Sequence, residues 1–299
     1  MLYPKSFEDT LTHFTAIQKC CEIPLYESFE TYLPENKAMR KSCIQAMREN
    51  EKILHYNSPG ILQLEGPYYP CSNDKEIRDR ALDYTKMHIE FAAEAESPMF
   101  VATACKDQGE KCRPELMKRY TEYFLEAADY CKQFHMEIIL EPIERHRFKQ
   151  LLLGPTSECA RFILQMKQAG ADSAGLMLDL AHLPLMEETL EIALHAAETV
   201  GIRHIHMGNA VLNPVHPYYG HMHAPIGIQN GEFDVPELTS QFEKLIQFGY
   251  ITDKPQKQRA TVSLEVRPYP GGSEETSIML MYEKMKYAFD QAVKNIHNI

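Results

Sequence analysis

The sequence lacks the features that mark membrane and secreted proteins. No apolar run reaches the ~20 residues that a membrane span requires, because charge interrupts even the longest ones, "EIILEP" and "AGLMLDLAHLPLM". The first ten residues, "MLYPKSFEDT", have neither the basic start nor the apolar core of a signal peptide. We therefore expect a cytoplasmic protein with no membrane partner.

Cysteine pairing and clustered basic charge are also missing. The eight cysteines form no C-x-x-C pair, which argues against a zinc ribbon or a disulfide framework and favours reduced thiols. The 31 lysines and arginines are scattered, and the formal net charge is -11 at pH 7. Such a charge repels a phosphate backbone, so we expect no nucleic-acid partner.

What the sequence has is a regular alternation of short β-rich stretches with helix-length amphipathic stretches. The strands are predicted at 23–29, 61–69, 99–104, 137–142, 174–180, 202–208 and 260–266. The helices are predicted at 7–22, 37–56, 74–95, 113–134, 156–169, 186–200, 235–248 and 274–296. This rhythm indicates repeated βα units and a parallel sheet.

The number and length of these units favour an α/β fold of the (β/α)8 TIM barrel class. Eight units close a barrel of about 250 residues or more, whereas a doubly wound sheet usually carries a Gly-rich phosphate turn after its first strand, and none is present. No nicotinamide, flavin or nucleotide motif is present either. We predict a single barrel domain over residues 1–299, with a first strand, before residue 7, that is shortened or missing.

Consecutive predicted strands end in a charged or imidazole side chain. Glu141 ends "EIILE", Asp179 ends "GLMLD", His206 ends "RHIH" and Glu265 ends "VSLE". Side chains alternate between the two faces of a strand, and by this alternation each of the four faces inward. Since barrel active sites lie at the C-terminal ends of the strands, we expect three carboxylates and one imidazole to meet there.

This set of side chains indicates a divalent metal. Three crowded carboxylates cannot all stay ionised without a cation, because burial and like-charge repulsion both oppose it. Oxygen-rich ligands with one nitrogen suit Mn²⁺, Mg²⁺ or Co²⁺, and Zn²⁺ also fits. Taken singly, a glutamate paired with Arg145 or Arg267, or a hydrogen-bonded core histidine, explains each residue as well. His204 is predicted to lie one layer beneath His206.

Four segments, "LEPIERH", "LMLDLAH", "HIHMGNA" and "VSLEV", resemble the xylose isomerase-like barrels of the sugar isomerase and epimerase superfamily, especially its ketose 3-epimerase branch. The specific resemblance covers roughly residues 137–267. It implies one divalent metal held by Glu141, Asp179, His206 and Glu265, with His182 near the substrate. It also implies that the two glutamates exchange a proton, from opposite faces, at the carbon next to a carbonyl.

The leading hypothesis is a metal-dependent isomerase or epimerase of a small sugar or a sugar-like hydroxy-carbonyl compound. The metal would hold the carbonyl and a neighbouring hydroxyl oxygen and stabilise the enediolate. One carboxylate would act as base and the opposite one as acid. The epimerases carry an arginine six residues after the metal histidine and a glutamate six after the first one, whereas this chain has Leu212 and Arg147. A dehydratase or lyase, or a sugar-binding barrel without chemistry, is therefore an alternative.

The loop "HPYYGHMHAPIG" resembles the D-x-H segment of type IV apurinic endonucleases, with His221 and His223 at the matching places. There, these two residues and the one matching His182 hold an additional zinc, and three imidazoles suit Zn²⁺ with an open position. Contact with substrate, or exposure to water, is the alternative for these histidines. Tyr218 and Tyr219 beside them would wall the pocket.

The resemblance of this loop also suggests an apurinic endonuclease-like phosphodiesterase, which is a less favoured hypothesis for the function. The predicted strand ends at 61–69 and 99–104 lack the histidines that complete a three-metal cluster. Arg145, Arg147 and Arg267 lie near the predicted barrel mouth, where they would bind a phosphate or carboxylate of the substrate or pair with acidic side chains. The only partner the sequence indicates is a small sugar-like molecule, and the sequence does not determine the oligomeric state.

Overall fold

A computed structural model of the chain describes residues 1–252 and 260–297. Its strands are β1 Ser28–Thr31, β2 Ile53–Asn57, β3 Met99–Thr103, β4 Glu137–Glu141, β5 Ala174–Asp179, β6 Ile202–His206 and β7 Thr261–Ser263. Its α-helices are α1 Thr10–Glu22, α2 Lys37–Glu49, α3 Lys75–Glu94, α4 Arg113–Lys132, α5 Thr156–Gln168, α6 His182–Leu185, α7 Leu190–Ala197, α8 Val235–Gln247 and α9 Glu274–His297. Short 3₁₀ turns lie at Pro4–Phe7 and Gly60–Gln63.

The strands follow one another in the sheet in the order of the chain, from β1 to β7. The pairing is parallel: β3 runs beside β4 from Met99 opposite Glu137 to Thr103 opposite Glu141, and β6 lies beside β7 with His206 opposite Ser263. Parallel neighbours need a crossover, which α-helices usually supply. The alternation of strands and helices is therefore that of the predicted (β/α)8 class.

The chain forms two compact units, Lys5–Leu176 and Met177–Ile299, the latter with Met1–Pro4. The prediction of one barrel domain over 1–299 stays a prediction.

The core of the Lys5–Leu176 unit is built from the buried strand β4 and the aromatic side chains of α4 and α5. Tyr120 and Phe124 are fully buried, and their ring centroids lie 5.6 and 5.2 Å from that of Phe162. Each such ring removes about 150–250 Å² from water. This burial, and not local propensity, holds the two helices in place.

The Met177–Ile299 unit contains the packed pair α8 and α9 and the long connection 207–234. Phe242 of α8 meets Phe289 of α9 edge to face at 5.5 Å. Asp234 caps α8 in a capping box with Glu237, and its Oδ1 lies 2.7 Å from Lys284 Nζ of α9. The end of the long connection is therefore fixed to both helices.

The second strand is not where the sequence predicts it. The predicted helix 37–56 ends at Glu49, β2 occupies Ile53–Asn57, and the predicted strand 61–69 begins instead with a 3₁₀ turn. The polar residues His55 and Asn57 interrupt the apolar pattern of β2, although His55 is only 2% exposed. Before α1, the described residues form a 3₁₀ turn and no strand, as the prediction of a shortened or missing first strand allows.

None of the described helices is both long enough and apolar enough to cross a membrane.

Asp234→Ala should lower the free energy of unfolding by about 1–2 kcal/mol, because it removes the cap of α8 together with the ion pair to Lys284. Urea denaturation measures this loss. The control is Asp290→Ala, which breaks only an exposed pair with Lys286 within α9 and should cost less than about 0.5 kcal/mol. Equal losses in the two variants would show that the cap does not secure this helix.

Candidate functional site

Asp179, the last residue of β5, is the most buried carboxylate of the site, with 1% of the residue exposed. Its Oδ1 accepts a hydrogen bond from the Ala181 backbone N–H at 2.7 Å. Its Oδ2 faces imidazole nitrogens of His182 at 3.5 Å, His206 at 3.8 Å and His223 at 3.5 Å. The backbone thus fixes one oxygen and leaves the other directed at three histidines.

The two histidines of β6 have different partners. His206 Nδ1 lies 2.6 Å from Glu265 Oε2, whereas His204 Nδ1 lies 2.6 Å from the Thr261 hydroxyl of β7. Their rings are nearly perpendicular, with centroids 4.8 Å apart. His206 therefore belongs to the acidic cluster, and His204 joins β6 to β7 beside it.

Glu265 lies two residues beyond the end of β7, so the strand is shorter than predicted while the residue still reaches the cluster. Its Oε2 is 3.7 Å from His223 Nδ1, and its backbone carbonyl lies 3.2 Å from the same nitrogen. The backbone beyond the strand thus holds both Glu265 and His223.

Burial shifts the pKa values of Glu265 and His223 in opposite directions, and in both cases it disfavours the charged form. Burial alone would raise the pKa of Glu265, but the charges of His223 and His206 and the hydrogen bond from His206 hold that pKa well below its usual range. Burial lowers the pKa of His223, against the raising influence of the Glu265 and Asp179 carboxylates. An ionised carboxylate and a neutral imidazole are the forms that bind metal ions.

The three histidines predicted from the loop resemblance do come together. The ring of His182, the first residue of α6, stacks on His221 with centroids 4.5 Å apart. His223 stands edge-on to both rings, at 5.1 and 5.0 Å. One nitrogen of each lies within 4.8 Å of the others. His182 and His223 are buried, which excludes simple exposure to water for these two.

The acidic cluster meets the requirements of a divalent metal site. Ligand atoms of Asp179, His206 and Glu265 lie within 4.8 Å of one another. The buried Oδ2 of Asp179 accepts no hydrogen bond from any described residue, and a desolvated anionic oxygen without a donor is unfavourable. A cation at this point would remove that cost, and the oxygen and nitrogen ligands suit Mn²⁺, Co²⁺, Mg²⁺ or Zn²⁺.

Glu141 belongs to the other unit, where it is the last residue of β4 and is 5% exposed. Its assignment as a metal ligand and as a proton-transfer group rests on this strand-end position and stays a prediction.

The three predicted arginines differ in their surroundings. Arg145 donates hydrogen bonds to both carboxylate oxygens of Glu158 and to the Leu152 carbonyl, so it is paired inside the protein. Arg147 is exposed on the loop after β4. Arg267 lines an open cavity of about 430 Å³, whose other walls are His216, Pro217, Tyr218, Met222, Ile228 and Pro270.

A larger cavity, of about 650 Å³, lies at the opposite end of β6 and is lined by His195, Arg203 and Tyr250 among others. None of the predicted site residues lines it. Of the two cavities, the Arg267 cavity is the one whose wall contains predicted site residues, Arg267 and Tyr218.

Sequence reasoning missed Gly208 and Asn209, which follow His206. A Cβ on Gly208 would lie 2.2 Å from Asp179 Oδ1 and 2.7 Å from the Ala181 Cβ. Asn209 is fully buried; its side chain donates to the Pro225 carbonyl at 2.8 Å and accepts from the Phe233 N–H at 3.0 Å. Gly208 contacts a site residue directly, and Asn209 holds the backbone of the connection that carries the loop histidines. Their contacts are with residues distant in sequence, so no local motif indicates their roles.

The chain belongs to the xylose isomerase-like TIM barrel family, whose model matches residues 19–281. No curated protein matches the chain. The family defines the fold class that the strand and helix order already indicates.

Solved structures share this fold at low sequence identity. D-psicose 3-epimerase from Clostridium cellulolyticum H10, solved with D-tagatose, is 16% identical, with a TM-score of 0.63 over 94% of this chain and 93% of that one. The 3-keto-D-glucoside 4-epimerase YcjR from E. coli is 15% identical, with a TM-score of 0.64 over 92% and 95%. An AP endonuclease of family 2 from Brucella melitensis is 15% identical, with a TM-score of 0.63 over 90% and 92%. At such identities the likeness establishes the fold alone.

Gly208→Ala should weaken metal binding by about 10- to 100-fold, the range found when the support of a ligand is disturbed, because its methyl group would displace the Asp179 carboxylate. Titration with Mn²⁺ and Zn²⁺ measures the affinity. Gly60→Ala is the control, since nothing lies within 4 Å of a Cβ there. An unchanged affinity in Gly208→Ala would mean that the position of Asp179 does not matter for the ion.

Proposed function

We propose that the protein is a divalent-metal-dependent isomerase or epimerase of a small sugar or a sugar-like hydroxy-carbonyl compound. The observation that carries this proposal is the convergence of Asp179, His206 and Glu265 on one point, with ligand atoms within 4.8 Å of one another. The names of the solved structures with the same fold, sugar 3- and 4-epimerases among them, support the substrate class.

In this proposal the metal ligands are Glu141, Asp179, His206 and Glu265. A bound divalent ion supplies Lewis acidity, which polarises a substrate carbonyl and stabilises the negative charge that develops on its oxygen. Asp179 is held for this role by the Ala181 N–H. The ligand set accommodates Mn²⁺, Co²⁺, Mg²⁺ or Zn²⁺.

Glu265 and Glu141 are proposed to move the proton. The low pKa of Glu265, held down against burial by His223 and His206, keeps its carboxylate ionised and able to accept a proton from the carbon next to the carbonyl. Glu141 would return the proton from the opposite face, as general acid. Proton return to the opposite face inverts a centre, whereas return to the adjacent carbon moves the carbonyl.

His182 and the neighbouring loop histidines His221 and His223 are proposed to hold substrate hydroxyls. His182 is 1% exposed and stacks on His221, so its ring is fixed before any substrate arrives. His182 follows Asp179 by three residues, and its Nε2 lies 3.5 Å from the Asp179 Oδ2. A ring able to form hydrogen bonds therefore lies beside this carboxylate.

A second candidate function rests on these same three histidines. Their nitrogens lie within 4.8 Å of one another, and three imidazoles with an open position suit Zn²⁺. With a second zinc the site would resemble that of an apurinic endonuclease-like phosphodiesterase. The net charge of -11 disfavours a DNA substrate, so the isomerase or epimerase is preferred.

Asp179→Asn should reduce the affinity for Mn²⁺ by more than about 100-fold, beyond the range for residues that only orient a ligand. Elemental analysis of the purified protein and calorimetric titration measure it, and Asp290→Asn on the exposed face of α9 is the matched control. Wild-type protein that refuses manganese, cobalt and zinc alike would remove the basis of the proposal.

Incubation of the Mn²⁺-loaded protein in deuterated water with ketoses, aldoses and inososes should place deuterium next to the carbonyl of a substrate. Glu265→Gln should slow this exchange by about 10²- to 10⁴-fold, while Glu191→Gln, at an exposed position of α7, should not. The metal content of each variant is measured on the same sample, because Glu265 is also a proposed ligand.

The outcomes separate the alternatives. A product lighter by one water identifies a dehydratase or lyase. Incision of an abasic-site duplex at low salt, without exchange into any sugar, identifies a phosphodiesterase. Metal binding without either reaction identifies a sugar-binding barrel.

A further inference from the structure

Arg267 is a permanently charged side chain for which the described part of the protein provides no anion. No ion pair links its guanidinium to a described carboxylate, and its Nε is buried without a hydrogen-bond acceptor. A guanidinium has five N–H donors and is not deprotonated in proteins. Leaving the buried Nε–H without an acceptor is unfavourable, and a ligand in the adjoining cavity would satisfy it.

The position of Arg267 is fixed by the candidate centre itself. Its backbone N–H donates to the His223 carbonyl at 2.7 Å, and His223 contacts both Asp179 and Glu265. Met222, which precedes His223, lines the same cavity as Arg267. The wall of the Arg267 cavity is therefore joined through the backbone to His223 and Glu265 of the candidate centre.

The cavity adds a second donor and otherwise apolar walls. His216 Nδ1 accepts a hydrogen bond from the Tyr218 N–H at 3.1 Å, so the neutral ring carries its proton on Nε2 and acts as a donor there. Met222, Ile228 and the prolines make the rest of the wall apolar. A volume of about 430 Å³ falls within the range of small-molecule sites, and apolar walls strengthen a charge-assisted hydrogen bond.

From this arrangement we infer that the substrate of the proposed isomerase or epimerase carries an anionic group, a carboxylate or a phosphate, that binds Arg267. Both groups present paired oxygens that match the fork of a guanidinium. The neutral hydroxyls of a free ketose would leave the charge of Arg267 unbalanced. Arg145, another of the predicted arginines, is already paired with Glu158, so Arg267 is the residue proposed to select for charge. This inference rests on the proposed function.

The test uses one carbon skeleton with three different ends: D-fructose, D-fructose 6-phosphate and D-fructuronate. Calorimetric titration of the full-length, Mn²⁺-loaded protein should show that one of the two anionic ketoses binds about 10- to 100-fold more tightly than D-fructose, as expected for a charge-assisted bidentate contact. Whichever anionic ketose binds more tightly identifies the group as phosphate or carboxylate.

Arg267→Met should abolish this preference, and Arg267→Lys should keep part of it, since a lysine retains the charge without the fork. Arg161→Met, at an exposed position of α5, is the matched control and should bind as the wild type does. Mn²⁺ affinity and melting temperature are measured for every variant, and Arg267→Lys serves as the test if Arg267→Met does not fold.

Equal binding of all three ketoses by the wild type, or a preference that survives in Arg267→Met, overturns the inference. Failure of the proposed function gives a different result, because it appears as absent Mn²⁺ binding or absent deuterium exchange. Selectivity for the anionic ketose that depends on Arg267, in protein that binds Mn²⁺ and catalyses exchange, supports the inference.

Discussion

Removal of the Asp179 carboxylate from water is the constraint on which the described site depends. One oxygen is satisfied by the Ala181 N–H, and the other is surrounded at 3.5 to 3.8 Å by nitrogens of three histidines. A buried anion needs compensating positive charge. Burial lowers the pKa of His223, so this neighbour provides only part of it. The proposed cation site thus depends on the placement of a single side chain at the end of β5.

Asn209, near the start of the connection 207–234, is hydrogen-bonded to residues near the end of the same connection. Asn209 accepts backbone hydrogen bonds from Phe233 through its side chain and from Ala224 through its carbonyl, and it donates to Pro225. His221 and His223 lie inside the segment closed by these bonds. His223 has a φ of +47°, a left-handed conformation that a histidine adopts only where surrounding contacts enforce it.

The strand ends and their chemistry could be predicted from the sequence because they depend on local rules. Alternation along "GLMLD" and "RHIH" gives the facing of Asp179 and His206 directly. The position of the second strand could not be predicted in this way. His55 of β2 is polar, and its burial depends on the tertiary fold, which the local pattern does not indicate. Gly208 was equally hidden: its need for a hydrogen side chain arises from Asp179, which another strand supplies. The pairing of Arg145 with Glu158 likewise depends on a residue distant in sequence, and so does the lack of a carboxylate partner for Arg267 among the described residues.

The connection held by Asn209 also contains a smaller loop, residues 212–219. Leu212 is 39% exposed and Val215 is 88% exposed, so this stretch packs against little of the protein, whereas Gly220 donates back to Val211 and closes the loop at its base. Leu212 and Val215 thus have few contacts to lose, whereas His216 and Tyr218 of the same stretch line the Arg267 cavity. One short stretch of the loop thus combines solvent-exposed apolar side chains with residues that form a cavity wall.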